Sequence, residues 1–554
     1  MMRSILAGLL LAAPSAEARA SERVPIGDDE TVAFYGDSIT EQNLYAEYLE
    51  TFLLSRFPTK RIACFNFGWG GDTAAGGDKR WRRDAAPVKP TLVFVDFGMN
   101  DGGYRPYDEA VARRYLADQR ALAADIRRGG AREVLLAPTP VDEDIRKDGG
   151  AYNDALSRMG RGLMGLADEL KVPSIDLFQP MREAMAAARK REPGATLIPD
   201  AVHPNAAGHL VMAYAVMRGL DAPRGIGDVV VREGRPGAAD GVKIAGVTRS
   251  GGGLEFELTP PFLPFYVPPE ARSALSLIPF EDEVNRFRLR VEDAAEGDWT
   301  LSADGVTLGT FSAQRLREGV DLALLEKAPW SAAGRTLWEA AQARWEKHFE
   351  AWRRMGLDRP AKMMPDLPSF RLLARAQRAY SDELGRALRR LAKPRAYRIG
   401  LWPAGERVSI SSGELSPAYP SEGFEKAYPP ELAPNAVAWK KVSFEDGKLD
   451  LAQQLGPLTD VVSYTRIALD AEAPCALHLA MGSDDGLAVV ADGKRVFSHD
   501  VRRGLHPGED ETDVSLHSGR NELLFMVTQA GGEYALAVEA QVRGRVRGRQ
   551  IEPR

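Results

Sequence analysis

Short apolar runs alternate with longer amphipathic stretches through the first 220 residues of the chain. Short apolar runs predict buried strands, and an apolar period near 3.6 residues predicts helices. Their regular alternation predicts βαβ units that close into a parallel sheet with helices on both faces. The predicted strands are 31–35, 61–66, 91–97, 133–137 and 174–176, and the predicted helices are 44–56, 107–128, 152–170, 178–189 and 206–218. Five such strands favour an α/β fold of the flavodoxin-like, three-layer α/β/α type.

The pattern changes after residue 220. Residues 221–311 alternate apolar and polar positions between Gly- and Pro-rich turns, which predicts a small β region. Residues 312–395 return to a helical period, and Trp338, Trp345 and Trp352 are spaced seven apart, which predicts a helical hairpin whose tryptophans serve packing. Alternation resumes in residues 396–545, which predicts a C-terminal β-sandwich.

The first twenty residues differ from everything that follows. A basic start at Arg3 precedes an apolar run over residues 5–13 and the small-x-small pattern Ala18-Arg19-Ala20. This arrangement is typical of a signal peptide, so we expect residues 1–20 to be removed and the protein to be exported to the periplasm or the medium. The mature protein would then begin with a domain over residues 21–220. No later stretch approaches the ~18 apolar residues of a membrane span, so we expect no transmembrane segment.

Composition narrows the classes of partner. The chain has 554 residues, of which 44% are hydrophobic and 27% charged, and its formal net charge is -6. These values are ordinary for soluble globular protein of several packed units. They give no broad basic field, so we expect no nucleic-acid partner.

Candidate chemistry lies where the predicted strands of the first domain end. The first strand ends in Gly36-Asp37-Ser38, the second leads into a glycine-rich loop over residues 66–73, and the third ends in Gly98-Met99-Asn100-Asp101. Asp200-Ala201-Val202-His203 precedes the last helix, a spacing that can place a carboxylate beside an imidazole. Because open α/β sheets bind ligands at the carboxyl edge, these groups are expected to converge.

The same residues are compatible with two other kinds of site. The glycine-rich loop could approach a phosphate, but it lacks the lysine of a Walker loop and the Rossmann glycine spacing, so a tight turn is the simpler interpretation. A glycosidase could use two of the carboxylates near the cleft, but it would leave Ser38, Asn100 and His203 without a role. Those carboxylates are Asp37, Asp72, Asp101 and Asp200.

The order and spacing of the four blocks resemble the SGNH, or GDSL-type, hydrolases over about the first 220 residues. The resemblance implies Ser38 as nucleophile, His203 as base and Asp200 as the third triad member. It also implies an oxyanion hole formed by Ser38, Gly71 and Asn100, with no metal or organic cofactor. Ile39 stands where the family more often has leucine, and this side chain takes no part in the chemistry.

The segment Ala480-Met481-Gly482-Ser483-Asp484-Asp485-Gly486-Leu487 looks like part of the galactose-binding-like or protective-antigen-like modules of exported bacterial enzymes. In such modules paired aspartates can hold calcium and a sugar, so Asp484 and Asp485 are candidates for a calcium site and the region for glycan binding. A hairpin turn with solvated acids is the alternative. Leu487, Val489 and Val490 stand where an aromatic sugar platform would be expected.

These observations predict an exported serine esterase that acts on carboxylic esters through an acyl-enzyme. Its substrate would be a small-molecule or polysaccharide ester, with acetyl groups on carbohydrate as the leading hypothesis. A lipid esterase or thioesterase is the enzymatic alternative, and an apolar groove beside Ser38 would favour it. A noncatalytic glycan-binding or envelope scaffold protein that retains the fold is the alternative from another class.

Overall fold

The computed structural model describes residues 23–238, 241–250, 253–349, 352–353, 367–471, 474–543 and 552–553. The predicted signal peptide lies outside these residues. The chain divides into two compact units. The α/β unit contains Met1–Pro223, Val267–Pro279 and Glu339–Leu388, and the β-rich unit contains Arg224–Tyr266, Phe280–Trp338 and Arg389–Arg554.

A five-stranded parallel sheet forms the centre of the α/β unit. The strands of the first 223 residues are β1 (Val24–Pro25), β2 (Asp29–Gly36), β3 (Arg61–Asn66), β4 (Leu92–Asp96), β5 (Arg132–Ala137), β6 (Ser174–Asp176) and β7 (Leu220–Asp221). The helices are α1 (Ser38–Glu41), α2 (Leu44–Arg56), α3 (Ala74–Asp84), α4 (Glu109–Arg128), α5 (Glu143–Arg146), α6 (Ala151–Leu170), α7 (Phe178–Arg191) and α8 (Ala206–Gly219). The strand order β3-β2-β4-β5-β6 is the flavodoxin-like order, so the predicted fold of this region is confirmed.

Burial explains why these strands are legible in the sequence. Every residue of β2 after the first is buried, and all five residues of β4 are buried. A parallel sheet with helices on both faces excludes water from both, so its strands become continuous apolar runs. Because β2 and β4 are adjacent and parallel, their carboxyl ends meet at one edge, where α1 begins directly after β2.

Helix α3 was absent from the predicted elements. Its sequence AAGGDKRWRRD contains two glycines and few apolar residues, so it carries little helical signal. The tertiary structure requires one of those glycines, because a Cβ on Gly77 would meet the rings of Phe97 and Tyr35. The Tyr35 hydroxyl donates to the Gly77 carbonyl at 2.6 Å, so the helix backbone lies close against the sheet.

The β-rich unit contains most of the remaining elements. Its earlier strands are β8 (Gly227–Arg232), β9 (Arg235–Ala238), β10 (Lys243–Ser250), β11 (Gly253–Thr259), β12 (Phe287–Val291), β13 (Asp298–Ala303), β14 (Val306–Ser312) and β15 (Val320–Asp321). The later strands are β16 (Tyr397–Val408), β17 (Ser412–Leu415), β18 (Tyr419–Pro420), β19 (Lys440–Ser443), β20 (Lys448–Asp450), β21 (Val461–Ala471), β22 (Cys475–Ser483), β23 (Leu487–Ala491), β24 (Lys494–His499), β25 (Asp510–Leu516), β26 (Gly519–Gln529), β27 (Ala535–Arg543) and β28 (Glu552–Pro553). The further helices of the chain are α9 (Phe280–Glu283), α10 (Ala313–Glu318), α11 (Pro329–Phe349), α12 (Leu367–Leu391), α13 (Pro429–Leu432) and α14 (Leu451–Leu455).

Strands from distant parts of the chain share sheets in the β-rich unit. Strand β16 pairs with β11 and β13 on the amino-terminal side and with β27 on the carboxyl-terminal side, so residues 221–311 and 396–545 contribute to one sheet. A second sheet is built around β21 and β26, and side chains from both sheets join one hydrophobic core. The α/β fold followed by β-rich structure agrees with the predicted fold class. The individual domain boundaries stay predictions.

Helix α11 divides between the units at Glu339. In its carboxyl-terminal part, Arg344 forms a buried ion pair with Glu50 and donates to the Cys64 carbonyl at 2.7 Å. Trp352 belongs to the core of the α/β unit. None of the helices that the structure describes combines the length and apolar character that crossing a membrane requires.

Candidate active site

Ser38 lies at the first turn of α1, directly after the buried strand β2. The side chain of Asp37 caps this short helix by accepting a hydrogen bond from the Ile39 amide at 3.0 Å. This local arrangement ends the strand and presents the Ser38 hydroxyl at the carboxyl edge of the sheet. The cap therefore gives the Gly-Asp-Ser block a structural reason for its aspartate.

Ser38, His203 and Asp200 form a hydrogen-bonded chain. His203 Nε2 lies 2.8 Å from the Ser38 Oγ, and His203 Nδ1 lies 2.6 Å from Asp200 Oδ2. With neutral imidazole, this geometry has Nδ1–H donating to the carboxylate and Nε2 accepting from the hydroxyl. The structure thus brings together three residues that are separated by up to 165 positions.

The loop before α8 orients the carboxylate of Asp200. Its Oδ1 accepts hydrogen bonds from the amides of Val202 at 2.9 Å and His203 at 2.7 Å. Ala201, between Asp200 and Val202, has a φ of 75°, a left-handed conformation that closes the turn. Burial by itself would raise the pKa of Asp200, but the hydrogen bonds from the His203 amide, the His203 ring and the Val202 amide lower it below its ordinary value. The carboxylate is therefore ionised when it faces the imidazole.

Asn100 and the glycine-rich loop meet beside this chain. The Asn100 amide donates to the Asp72 carbonyl at 2.9 Å and to Asp37 Oδ2 at 3.3 Å, so it links the loop to the turn that contains Ser38. Gly71 has a φ of 74°, and a Cβ there would meet nothing within 4 Å. The glycine is needed for its backbone conformation, and the space beside it is open to an approaching group.

Tyr104 is a site residue that the sequence analysis missed. Its hydroxyl donates to Asn100 Oδ1 at 2.9 Å. This hydrogen bond fixes the orientation of the Asn100 amide, so that Nδ2 points toward Asp72 and Asp37. The side chain belongs to a loop after the Gly-x-Asn-Asp block, and its own φ is 56°. The only sequence signal was a tyrosine four residues after Asn100, which has no meaning without the loop conformation.

Replacing Tyr104 with phenylalanine is expected to lower kcat for a small acetate ester about fivefold with little change in KM, since one orienting hydrogen bond contributes ~1 kcal/mol. Steady-state kinetics on p-nitrophenyl acetate would measure this effect. Tyr107→Phe is the matched control, because the Tyr107 hydroxyl bonds the exposed Glu109 instead. A change in KM alone would mean that Tyr104 touches substrate rather than orienting Asn100.

The carboxylates considered for a glycosidase are held in other ways. Asp37 is buried, and burial together with the neighbouring Asp96 carboxyl holds its pKa well above the usual range. Burial raises the pKa of Asp101 to about 7, and its Oδ1 accepts from the Ala74 amide at 3.0 Å. Asp72 pairs with Arg80 at 2.6 Å. With Asp200 bound to His203, each of the four has a partner within the protein.

Residues 34–211 match the family model described as the GDSL-like Lipase/Acylhydrolase family. The matched region contains all the residues of the hydrogen-bonded chain. The chain therefore contains a hydrolase domain of the SGNH, or GDSL-type, family. The acetylxylan esterase of Geobacillus stearothermophilus is 26% identical to this SGNH hydrolase over 215 residues, which are 35% of this chain and 94% of that protein. These similarities make the protein a carboxylic ester hydrolase.

Two solved structures are also similar. A gut microbial diltiazem-metabolizing enzyme superposes with a TM-score of 0.59 at 24% identity, and the match covers 69% of this SGNH hydrolase and 99% of that chain. The acetylxylan esterase Axe2 of Geobacillus stearothermophilus has a TM-score of 0.30 at 25% identity, covering 35% of this chain and 96% of the other. The first similarity extends the shared fold beyond the hydrolase domain.

Asp484 and Asp485, the candidate calcium ligands of this SGNH hydrolase, lie after β22. Asp485 accepts hydrogen bonds from the amides of Arg503 at 3.2 Å and Ala530 at 2.6 Å, so it holds two loops together. Burial raises the pKa of Asp484 to about 6. Among the residues that the structure describes, no group of three or more histidine, cysteine, aspartate or glutamate side chains could hold a metal ion.

Proposed function

We propose that Ser38 is the nucleophile of this ester hydrolase, with His203 as general base and Asp200 as the residue that orients it. The observation that carries the proposal is the continuous chain of contacts, 2.8 Å from Ser38 Oγ to His203 Nε2 and 2.6 Å from His203 Nδ1 to Asp200 Oδ2. In the first half-reaction, Nε2 removes the hydroxyl proton while Oγ attacks the ester carbonyl. The imidazolium then protonates the leaving alcohol, and an acyl-enzyme remains.

The second half-reaction repeats these steps with water. His203 removes a proton from the water that attacks the acyl group, and Ser38 leaves with that proton. In both halves, negative charge develops on the carbonyl oxygen. The amides of Ser38 and Gly71 and the side-chain amide of Asn100 are the proposed donors to this oxygen, for which the open space beside Gly71 gives room. Before it can donate to this oxygen, the Asn100 amide must exchange a hydrogen bond to the Asp72 carbonyl or to Asp37.

We further propose that the ester is an acetyl group on a carbohydrate. The support is the 26% identity to an acetylxylan esterase over nearly the whole length of that protein. Export to the periplasm or the medium, which is part of this proposal, fits the basic start, apolar run and Ala-x-Ala pattern of the first twenty residues.

Glycan binding by residues 396–545 stays a prediction. The described part of this region contains a cavity of about 460 Å³ with polar side chains of the kind that hydrogen-bond sugar hydroxyls. These are Ser409, Asp446, His478, Glu539 and Gln541.

Acid release from a series of esters tests the substrate proposal. The full chain is expected to hydrolyse p-nitrophenyl acetate faster than the butyrate, to leave the palmitate almost untouched, and to release acetate from acetylated xylooligosaccharides. Ser38→Ala provides the background rate. A preference for palmitate would replace the carbohydrate proposal with the lipid esterase. Fast acetate ester hydrolysis without acetate release from any acetylated glycan would restrict the proposal to small-molecule esters.

A further inference from the structure

The loop Phe67–Asp72, which we call the oxyanion loop, lies against the nucleophile turn. The Trp69 amide donates to the Gly36 carbonyl at 3.0 Å. A Cβ on Gly68 would overlap the backbone of Glu41, three residues after Ser38, and a Cβ on Gly70 would lie 2.8 Å from the Glu41 carboxylate. The position of Gly71 relative to Ser38 therefore depends on how closely this loop is held to α1.

Asn66 is the joint between the loop and α1. Its Nδ2 donates to the Thr40 carbonyl at 2.6 Å, and its Oδ1 accepts from the Gly68 amide at 2.7 Å. The backbone carbonyl of Asn66 in turn accepts a hydrogen bond of 2.9 Å from His348 Nε2. Burial lowers the pKa of His348 to about 4, so its ring is neutral and Nε2 carries the donated hydrogen. A residue 282 positions away thus fixes the joint.

The tryptophan of the oxyanion loop is held by the same distant segment. The ring of Trp352 makes edge-to-face contacts with Phe67 and Trp69, at centroid distances of 5.3 and 6.2 Å. The guanidinium of Arg353 stacks on Trp69 with its Cζ 3.4 Å from the ring centroid, and it pairs with Glu41 at 3.5 Å. Arg353 therefore touches the oxyanion loop on one side and the nucleophile helix on the other.

None of these three residues lies in the region that matches the family model, which ends at residue 211. We propose that His348, Trp352 and Arg353 position the oxyanion loop for catalysis, with Arg353 clamping Trp69 to Glu41 and so setting the distance between the Gly71 amide and Ser38. This inference rests on the proposed roles of Ser38 and Gly71. Its physical basis is that an oxyanion donor stabilises the transition state only when it is aimed at the developing charge in advance.

Arg353→Met in the full chain tests the clamp, because methionine keeps apolar contact with Trp69 but loses the charge and the planar stack. We expect kcat for p-nitrophenyl acetate to fall about tenfold and KM to stay within about twofold, since the donor is displaced rather than removed. Arg353→Lys keeps the ion pair with Glu41 and should show an intermediate loss. Adding Glu41→Gln to Arg353→Met should lower kcat little further, because both changes break one clamp.

Arg82→Met is the matched control, since Arg82 is an exposed arginine of the same unit that pairs with Asp125. Equal losses in Arg82→Met and Arg353→Met, an unchanged kcat in Arg353→Met, or a rise in KM alone would each overturn the clamp. If Arg353→Met does not fold, Arg353→Lys decides between the same outcomes. Full activity of Ser38→Ala would overturn the proposed function and this inference with it, whereas inactive Ser38→Ala beside fully active Arg353→Met would overturn the inference alone.

Discussion

Ser38→Ala is expected to lower kcat on p-nitrophenyl acetate by about 10⁴-fold or more, and His203→Ala should come close to the same loss. In the proposed mechanism Ser38 and His203 act as one unit, so removing either is expected to abolish formation of the acyl-enzyme. The double variant should therefore be scarcely slower than either single variant. Asp200→Asn is expected to lose up to about 10⁴-fold, because an amide can select the wrong tautomer of His203.

Steady-state kinetics with all variants, together with labelling by a serine-reactive phosphonate, would measure these effects. Ser276→Ala and His517→Ala are matched controls at exposed positions and should retain full activity. The phosphonate should label the wild-type chain at Ser38 and leave Ser38→Ala unlabelled. Retention of more than about 1% of kcat in Ser38→Ala would contradict the assignment of the nucleophile.

Arg344→Met should lower the free energy of unfolding of the α/β unit by about 3–5 kcal/mol, because it leaves the buried Glu50 without its partner. Arg344 and Glu50 are both almost fully buried, and Arg344 also bonds the Cys64 carbonyl. Burial already raises the pKa of Glu50 against the opposing effect of Arg344. Removing the arginine therefore raises that pKa further.

The sign of the pH dependence follows from this shift. In Arg344→Met, the pKa of Glu50 is higher in the folded state than in the unfolded state. Between these two pKa values the folded state keeps a proton on Glu50 that the unfolded state releases, so stability falls as the pH rises from the lower value to the higher one. The loss relative to wild type should be smaller at pH 5 than at pH 8, as measured by calorimetry at both values. Adding Glu50→Leu should restore most of the stability, because no uncompensated carboxylate remains. If Arg344→Met were as stable as wild type at pH 8, the buried Glu50 carboxylate would not depend on Arg344 for its stabilisation.

The local pattern of apolar and polar residues predicted much of the α/β unit. Strands β3 and β6 begin and end where the sequence pattern predicts, and so does α2. The strands could be predicted because a parallel sheet that is buried on both faces requires consecutive apolar residues, which are visible in the sequence. Helix α3 was missed because its packing depends on the absence of a side chain at Gly77, and that requirement appears only when Tyr35 and Phe97 are in place.

The candidate site divides in the same way. Ser38, Asn100, Asp200 and His203 follow or precede elements that the pattern predicts, so the order of the strands was enough to expect them at one edge of the sheet. Tyr104 contacts Asn100 because the backbone at Tyr104 is left-handed, and the presence of a tyrosine in the sequence does not predict that conformation. Its role depends on backbone conformation rather than on residue spacing.

The amino-acid sequence by itself therefore determined the α/β fold, the family and the set of residues proposed for catalysis, because each is encoded in contacts between neighbouring elements or in short motifs. Only the tertiary structure decided that His348, Trp352 and Arg353 lie against the oxyanion loop and that Arg344 pairs with Glu50. Their partners lie some 280 to 310 positions earlier in the chain. Tryptophans spaced seven residues apart predict that one face of a helix is packed. Which surface that face covers depends on complementary shape and charge, and these exist only in the folded protein.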